Sequence, residues 1–482
     1  MASFRVENLA GESLWPCIEE IVRIFDPAAQ VGDGDFLYAL NKKEFSHGLA
    51  VTAKSKTGNV LTVEESWQED EEPEHQGRRV LRLALYRMLQ KEWGGGSPWG
   101  ILTGVRPMKI MRRLLAAGQG TEEVLCRRYA LTPSKAALLL ACSEEQKFYW
   151  RKAPYRGRVG VYVGIPFCPT RCSYCSFAGV ALDKNQKLVK PYLDALKQEI
   201  TDAGAALKEV GWQVDSLYVG GGTPSSLTVA EMAEILWALN CELPMANCRE
   251  FTVEAGRPDT LNEEKWRLLR DAGVGRVSVN PQTKHRATLE RIGRQHTPKQ
   301  VEEEVRRGQE LGFAVNMDLI AGLPGEEPEE FRQSLEWALA LHPANLTVHT
   351  LALKRGSRLR ENCGQEEFTA AVGEMLDFAG SALAKADYKP YYLYRQKNTL
   401  DFLENVGYTK PGQAGIYNIA VMDEQQVIVG LGVGAGSKWV LPDGTLTATY
   451  NPKDILCYLE RSKNGGSNKI DKLRQLIYNN WE

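Results

Sequence analysis

Eight residues, Cys168-Pro169-Thr170-Arg171-Cys172-Ser173-Tyr174-Cys175, constrain this chain more than any other stretch. They follow closely on the apolar, β-branched run Val159–Ile165, which reads as a strand. Three cysteines separated by three and then two residues, just past a strand, can turn three thiols into one small volume. Three is the informative number. A structural zinc site closes with four protein ligands, and an electron-transfer [4Fe–4S] cluster takes four cysteines. A cluster held by three thiolates keeps one iron open to something that is not protein. The spacing alone also admits a zinc site, or three unrelated core cysteines.

At 482 residues the chain exceeds what one hydrophobic core supports, so two or three domains are expected. A net charge of −2 leaves no footprint for a long nucleic-acid groove or an anionic membrane surface. No stretch is apolar for long enough to span a bilayer, and Met1–Glu7 has no apolar signal core. The expected location is the cytoplasm. Ten cysteines in such a chain argue against a disulfide framework. Cys126 and Cys142 fall in helical segments and read as buried thiols, while Cys241 and Cys248 have no histidine or third cysteine near them in sequence.

Residues 1–155 carry no catalytic pattern. Short β-like runs (Phe36–Leu40, Gly48–Ala53) precede an acidic block from Glu64 to Glu74, read as a solvated loop, and then helical stretches. The segment Pro98–Pro107 is unusually distinctive for a loop and admits either a packed turn around Trp99 or a ligand contact. This part is expected to be an α+β domain. From about residue 156 the pattern changes to apolar runs alternating with helical segments, the signature of βα units and a parallel sheet. The runs are Val159–Ile165, Ser216–Gly221, Phe251–Ala255, Arg276–Pro281, Ala314–Ile320 and Leu346–Leu351. Parallel barrels build their sites at the C-terminal ends of their strands, and the chemistry-bearing residues fall there.

After the second run comes Gly220-Gly221-Gly222-Thr223-Pro224, where successive glycines let backbone turn sharply and approach a ligand. Glu254 ends the third run, and a carboxylate in an apolar strand must find a partner. Past the fourth run stand Gln282 and Arg291-Ile292-Gly293-Arg294, followed by His296, read as helping to start a helix after Thr297. The fifth run carries Asp318 and ends in Gly322-Leu323-Pro324-Gly325, and the sixth leads to Ala352. Gly430–Ser437 imitates a dinucleotide fingerprint but lacks the following helix and acidic residue that such a unit needs; it is expected to be a glycine-rich loop near the barrel mouth.

The stretch Tyr162-Val163-Gly164-Ile165-Pro166-Phe167-Cys168-x3-Cys172-x-Tyr174-Cys175-x-Phe177 resembles the radical S-adenosylmethionine (SAM) superfamily. Within it the chain is similar to the oxygen-independent coproporphyrinogen III oxidase group, closest to its HemZ-type members. The resemblance implies an α/β fold with an open partial (β/α)6 barrel, spanning 156–385, between the N-terminal domain 1–155 and a C-terminal cap or substrate region 386–482. It implies a [4Fe–4S] cluster on Cys168, Cys172 and Cys175, with SAM, in one or two copies, chelating the open iron. Tyr162, Tyr174, Gly221, Gly222, Thr223, Glu254, Gln282, Arg294, Asp318 and Ala352 fall on the family's SAM-contacting positions. The arginine suits a carboxylate through its planar donor fork. The implied partners are a small-molecule substrate, expected to be a tetrapyrrole, and a low-potential electron donor such as flavodoxin or ferredoxin.

The chain departs from the group in two places. Phe177 stands where coproporphyrinogen oxidases carry a further cysteine, and Gly164 where they have a histidine; HemW-like and HemZ-like members share Phe177. The tail reads Ile416-Tyr417-Asn418-Ile419 and not the His-Asn-x-x-Tyr-Trp pattern of HemW haem chaperones. Three readings remain: propionate decarboxylation, haem chaperoning, and radical methylation of another substrate. For a carboxylate-bearing tetrapyrrole the candidate contacts are Arg395 and Tyr394 in the tyrosine-rich segment, then Lys397, Lys354, Arg355 and Arg358.

Overall fold

The computed structural model describes residues 3–8, 15–26, 30–31, 36–150, 157–175, 177, 179–353, 357–359, 371–396, 399–441 and 445–463. The chain divides into two compact units, Met1–Glu144 and Glu145–Glu482.

In the first unit a five-stranded sheet runs in the order Gln30–Val31, Ser3–Asn8, Phe36–Phe45, Gly48–Ser55, Val60–Ser66. The helix Pro73–Trp93 packs on the strands Gly48–Ser55 and Val60–Ser66. The acidic block expected as a solvated loop is solvated only in part: Glu64, Glu69, Glu72 and Glu74 are exposed, but Asp70 and Glu71 turn inward. Asp70 and Glu71 keep 1% and 4% of their side chains exposed and meet Arg128 at 3.1 and 3.0 Å. Arg79 adds bonds to Glu71 at 2.8 Å and to Glu65 at 2.9 Å. Carboxylates this deep are stable only when paired, and the arginines that pair them come from elsewhere in the sequence. The Pro98–Pro107 segment is a turn around the fully buried Trp99.

In the second unit the six β-like runs become six parallel strands. They are β1 (Arg158–Ile165), β2 (Gln213–Gly221), β3 (Glu250–Glu254), β4 (Arg276–Ser278), β5 (Ala314–Ala321) and β6 (Asn345–Thr350). They pair in sequence order. Their residues are buried almost continuously, as strands covered on both faces require. The covering helices are α1 (Val189–Glu209), α2 (Val229–Glu242), α3 (Glu263–Asp271), α4 (Pro298–Glu310), α5 (Pro328–Ala340) and α6 (Val372–Lys385). Capping boxes at Thr228–Glu231 and Thr297–Gln300 set the starts of α2 and α4.

The C-terminal segment does not sit on the sheet as a cap. It extends the sheet at both edges. Strands β7 (Lys389–Arg395) and β8 (Glu404–Thr409) join antiparallel beyond β6. The chain then returns through helix α7 (Ile416–Asp423) to the other edge. There β9 (Val427–Gly432) pairs parallel with β1, and the hairpin β10 (Gly436–Val440) and β11 (Leu446–Tyr450) follows. The eleven strands run β7-β8-β6-β5-β4-β3-β2-β1-β9-β10-β11 as one open sheet among the described residues.

The run Gly430–Gly432 is therefore strand, not loop, and its glycines answer to crowding. A Cβ on Gly430 would stand 2.5 Å from the Gly436 carbonyl oxygen, and one on Gly432 2.5 Å from that of Gly164. Helix α1 seals this seam. The Tyr192 hydroxyl donates to the Gly164 carbonyl and accepts from the Val433 N–H. Glu199 accepts at 2.8 Å from the Gly432 N–H, from Asn451 Nδ2 and from the Tyr458 hydroxyl. Replacing Glu199 with alanine would leave the Gly432 N–H and the Tyr458 hydroxyl without this acceptor, each costing about 1–3 kcal/mol, while Asn451 Nδ2 keeps its bond to the Gly432 carbonyl at 2.8 Å. Glu199→Ala is expected to lower the denaturation midpoint in urea by the equivalent of roughly 2–5 kcal/mol, with β9 losing hydrogen-exchange protection first. Wild-type protection of β9 would show that this carboxylate does not hold the edge.

Candidate active site

The C-terminal ends of β1 to β6 open into a cavity of about 340 Å³, and all three motif cysteines line it. The loop that carries them is pinned by backbone. The Val180 N–H donates to the Pro166 carbonyl at 2.8 Å, and the Ser173 N–H to that of Ile292 at 3.0 Å. Thr170 accepts from Arg257 Nη1 at 3.1 Å, while Arg257 is fixed by a two-point bond to Asp259 at 2.9 and 2.8 Å. Thr223 donates its hydroxyl to Cys168 Sγ at 3.6 Å. Burial first, and the other two cysteines after it, push the Cys168 thiol up to about 11; burial also raises Cys175. Thiols raised in this way, Cys168 and Cys175, ionise readily only beside an electrophile such as iron. Among the described residues no three His, Cys, Asp or Glu side chains converge tightly enough to hold one ion. Three thiols lining one cavity are a donor set that an iron–sulfur cluster can take.

The Gly220–Gly222 turn faces the cysteines, and each glycine has its own reason. A Cβ at Gly220 would lie 2.7 Å from Glu254 Oε2, and one at Gly222 2.6 Å from the Phe167 carbonyl oxygen. Gly221 itself is left-handed, at φ +110°. Glu254 accepts from the Tyr218 hydroxyl and, at 3.2 Å, from the Gly221 N–H. Burial, with the nearby Asp318 charge adding, lifts its carboxyl to about 7 against those two donors.

Beyond β4 the chain passes through Gln282, a non-glycine residue at φ +69°. Such strain costs on the order of 1–3 kcal/mol and concentrates at functional sites. It is held by a bridge to β5, with the Gln282 N–H donating to Asp318 and the Ile320 N–H to Gln282, both at 3.0 Å. Arg294 is buried, and its Nη1 donates to the Asn280 and Gly256 carbonyls at 2.6 and 2.9 Å. Its Nη2 donates to the Tyr174 hydroxyl at 3.1 Å. Arg294 Nε, Gln282 Oε1, Asn280 Oδ1 and Asn316 Oδ1 are buried without a hydrogen-bond partner, and all four residues line the cavity. Orphaned donors and acceptors on one wall call for a polar ligand. His296, by contrast, is pushed down to about 3 by burial and by Arg294, so it stays neutral.

The wall opposite the cysteines comes from β6, β7, β8 and α7. Asp318 accepts from Asn316 Nδ2 at 3.0 Å and lies 3.5 Å from His349 Nε2. His349 Nδ1 is 3.3 Å from the Tyr394 hydroxyl, which accepts from Gln396 Nε2 at 3.2 Å. Tyr392, Asn405, Asn418 and Met422 complete the wall. Of the residues singled out from sequence, Tyr174, Gly221, Gly222, Thr223, Glu254, Gln282, Arg294, Asp318, Ala352 and Tyr394 line the cavity with the three cysteines.

Two do not. Tyr162 lies behind the wall, its ring stacked on Tyr218 and Tyr417 at 6.3 and 6.2 Å. Arg395 is the clearer correction: successive residues of a strand point to opposite faces, so Tyr392, Tyr394 and Gln396 face the cavity and Arg395 faces away. Its Nε and Nη2 donate to the Phe402 carbonyl at 3.2 and 2.6 Å. Arg358 is exposed, and Lys354, Arg355 and Lys397 lie outside the described residues. Tyr218, Asn280, Asn316, His349 and Gln396 escaped the sequence reading. A polar residue one step before the end of an apolar parallel strand, as at His349, was the available signal.

A family model described as the Radical SAM superfamily matches residues 162–338. Over 98% of its length the chain is 36% identical to the oxygen-independent coproporphyrinogen-III oxidase-like protein HemZ of Bacillus subtilis, with 98% of that protein covered. The heme chaperone HemW of Escherichia coli is 28% identical over 63% of this chain and 78% of that protein. Among solved structures, the coproporphyrinogen III oxidase HemN of Escherichia coli, a radical SAM enzyme, is similar with a TM-score of 0.54 at 21% identity. That likeness covers 69% of this chain and 73% of HemN, and it concerns the fold.

Glu254 makes the stability of this region sensitive to pH. Its folded pKa, about 7, lies above the ordinary value of 4.5, so the folded state binds more protons between the two. Stability is therefore full below about pH 4.5 and falls as pH rises through about 7, by on the order of 3 kcal/mol. The ligand-free protein should lose thermal stability across that window, and Glu254→Gln should flatten the slope. An unchanged slope in Glu254→Gln would assign the proton uptake to another group.

Proposed function

The chain belongs to the radical SAM superfamily, among the HemZ-type oxygen-independent coproporphyrinogen-III oxidase-like proteins, and from that premise we propose an enzyme that cleaves SAM reductively to act on a tetrapyrrole. The superfamily's cofactors are a [4Fe–4S] cluster and SAM. One observation carries the reading: three thiols, and among the cavity's described residues no fourth cysteine, share a pocket with orphaned polar groups at the mouth of a parallel sheet. When bound, the pair supplies a 5′-deoxyadenosyl radical that takes a hydrogen atom from a substrate carbon.

The chain's own residues divide the labour. Cys168, Cys172 and Cys175 would hold the cluster, which with three protein thiolates keeps a site open for SAM. The Gly221–Thr223 backbone gives close approach, and Glu254 offers a carboxylate to a cationic group. Arg294 retains one unsatisfied guanidinium N–H, at Nε, for an acceptor. Asp318, Gln282, Asn280 and Asn316 offer acceptors to amine and hydroxyl donors. Tyr392 and Tyr394 present flat faces and hydroxyls to a ring on the opposite wall. The residues there are tyrosines, amides and a histidine, with no lysine or arginine among those described. Only one limb of a carboxylate-bearing substrate would therefore enter, its other propionates being met outside.

The finer proposal is oxidative decarboxylation of coproporphyrinogen III propionates in haem biosynthesis, in the cytoplasm and with a low-potential reductant. None of the described helices is long and apolar enough to cross a membrane. A haem chaperone is the second reading, supported by the partial likeness to HemW. The absence of the His-Asn-x-x-Tyr-Trp pattern in the tail favours the enzyme.

Anaerobically purified protein should carry an iron–sulfur absorbance that Cys168→Ala, Cys172→Ala or Cys175→Ala abolishes, while Cys241→Ala and Cys248→Ala retain it. Asp318→Asn should weaken SAM binding tens- to thousands-fold, the size of losing one charged contact at about 2–5 kcal/mol. A bound zinc, or wild-type SAM affinity in Asp318→Asn, would contradict the assignment.

The substrate is tested separately, by incubating the protein with SAM, dithionite and coproporphyrinogen III and following products by mass spectrometry. Decarboxylated product is expected from wild type. Tyr394→Phe should slow that turnover several-fold and leave substrate-free SAM cleavage intact. Cleavage of SAM with the porphyrinogen unchanged would retire the decarboxylase and leave the radical chemistry standing.

A further inference from the structure

A second groove borders the cavity, sharing Thr170, Arg171 and Arg294 with it, and is lined further by Arg286, Glu290 and Gly293. Here the backbone of the cysteine motif lies directly beneath an exposed glycine. Gly293 is exposed, and a Cβ built on it would lie 3.8 Å from Cys172 Cα and 3.6 Å from the Arg171 carbonyl oxygen. The Ser173 N–H donates to the Ile292 carbonyl at 3.0 Å, so the two segments run in backbone contact. At Gly293 no side chain stands between solvent and the backbone of a cluster ligand.

Basic residues outnumber acidic ones along this segment, although Lys299 lies 3.9 Å from Glu303 just beyond it. From Lys284 to Lys299 the chain carries five lysines and arginines against one carboxylate, Glu290, in a protein of net charge −2. Glu290 is already held by Arg286 at 2.9 Å. The side chains of Arg286 and Lys299 are 77% and 83% exposed. A small basic face over a thin wall attracts an acidic protein and raises its on-rate.

We infer that this groove is the docking surface for an acidic one-electron carrier protein, an inference that rests on the radical SAM reading of the cavity. Docked there, the carrier is oxidised by one electron and the cluster beside Cys172 is reduced by one. No bond in the chain is made or broken, and no proton need move.

The test uses the full chain and reduced flavodoxin as the acidic carrier. Arg286→Glu combined with Lys299→Glu reverses the exposed charge and touches no residue assigned to cofactor or substrate. Calorimetric binding of flavodoxin to the protein, with or without its cluster, should weaken at least tenfold in the double variant. Wild-type affinity should fall steeply between low and high salt. Flavodoxin-driven cleavage of SAM should fall in parallel, while dithionite-driven cleavage, which needs no docking, stays at the wild-type rate. The milder pair Arg286→Gln with Lys299→Gln should give an intermediate loss.

Unchanged flavodoxin binding in both pairs overturns the inference, as does equal loss in the flavodoxin and dithionite arms, which would make these residues structural. Loss of affinity for a single-stranded oligonucleotide, with flavodoxin binding intact, would make the face a nucleic-acid surface and equally overturn it. If wild type fails to cleave SAM even with dithionite, the reading of the cavity fails, and the binding measurement still decides the fate of the surface.

Discussion

The contact between the Gly221–Thr223 backbone and that of Ile165–Phe167 governs the rest of the site. Gly222 and Thr223 donate their N–H groups to the Ile165 and Phe167 carbonyls, both at 2.7 Å. Any side chain at position 222 would drive these segments apart. The same contact sets where the cysteine loop leaves β1 and where Glu254 finds its backbone donor at Gly221. Cofactor-facing groups from three neighbouring strands are thereby indexed to one another by backbone hydrogen bonds. Main-chain geometry has no rotamers to lose, which suits groups that must stand at fixed separations.

The C-terminal segment is bound to that core by a stack of tyrosines. Tyr218, whose hydroxyl bonds Glu254, lies 4.6 Å from the parallel ring of Tyr417 on α7. The start of α7 is itself held from the sheet, with Glu250 accepting from the Ile416 and Tyr417 N–H groups at 2.7 and 3.2 Å. Movement of α7 would therefore be felt at Glu254 through one ring and one hydrogen bond. It would also shift Asn418 and Met422, which face the cavity from the same helix.

Much of this was legible in the sequence because it is local. A continuous apolar, β-branched run followed by a helical segment defines a βα unit within about 30 residues, and six such units in succession mark out the parallel strands. What escaped was set by distant partners. Glycines weaken a strand, so Gly430–Gly432 read as a loop; only the crowding by Gly164, Tyr192 and Gly436 explains why glycine is needed there. The acidic block at Glu64–Glu74 read as solvated because its arginine partners lie up to 58 positions away. Arg395 and Tyr394 read together as candidate contacts, although strand alternation sends adjacent residues to opposite faces. With Tyr394 facing in, Arg395 had to face out. His349 was passed over because nothing around it in sequence announces Asp318 and Tyr394, which meet it from β5 and β7.

The cavity is assembled from two sources that differ in how freely they can change. The cysteine loop, Glu254, Gln282 and Asp318 lie on or beside strands that pair with neighbours on both sides, so a shift in one would be transmitted to the others. Gln282 even holds a strained backbone there, which only rigid surroundings can maintain. Tyr392, Tyr394 and Gln396 instead lie on or just past the outermost strand, β7, which is paired on one side among the described residues. Substitutions on an edge strand disturb fewer ladders than substitutions in the sheet interior. Relatives that keep the inner wall can therefore keep the same cofactor chemistry while the edge wall is rewritten for another substrate. The departures that separate this chain from its better-defined relatives, Gly164, Phe177 and the residues of α7, then matter unequally. Gly164 sits at the packed seam of β1 and β9, where a histidine would need space that Val433 now occupies. Phe177 and the cavity face of α7 line the cavity, and a change there reshapes the space open to a substrate.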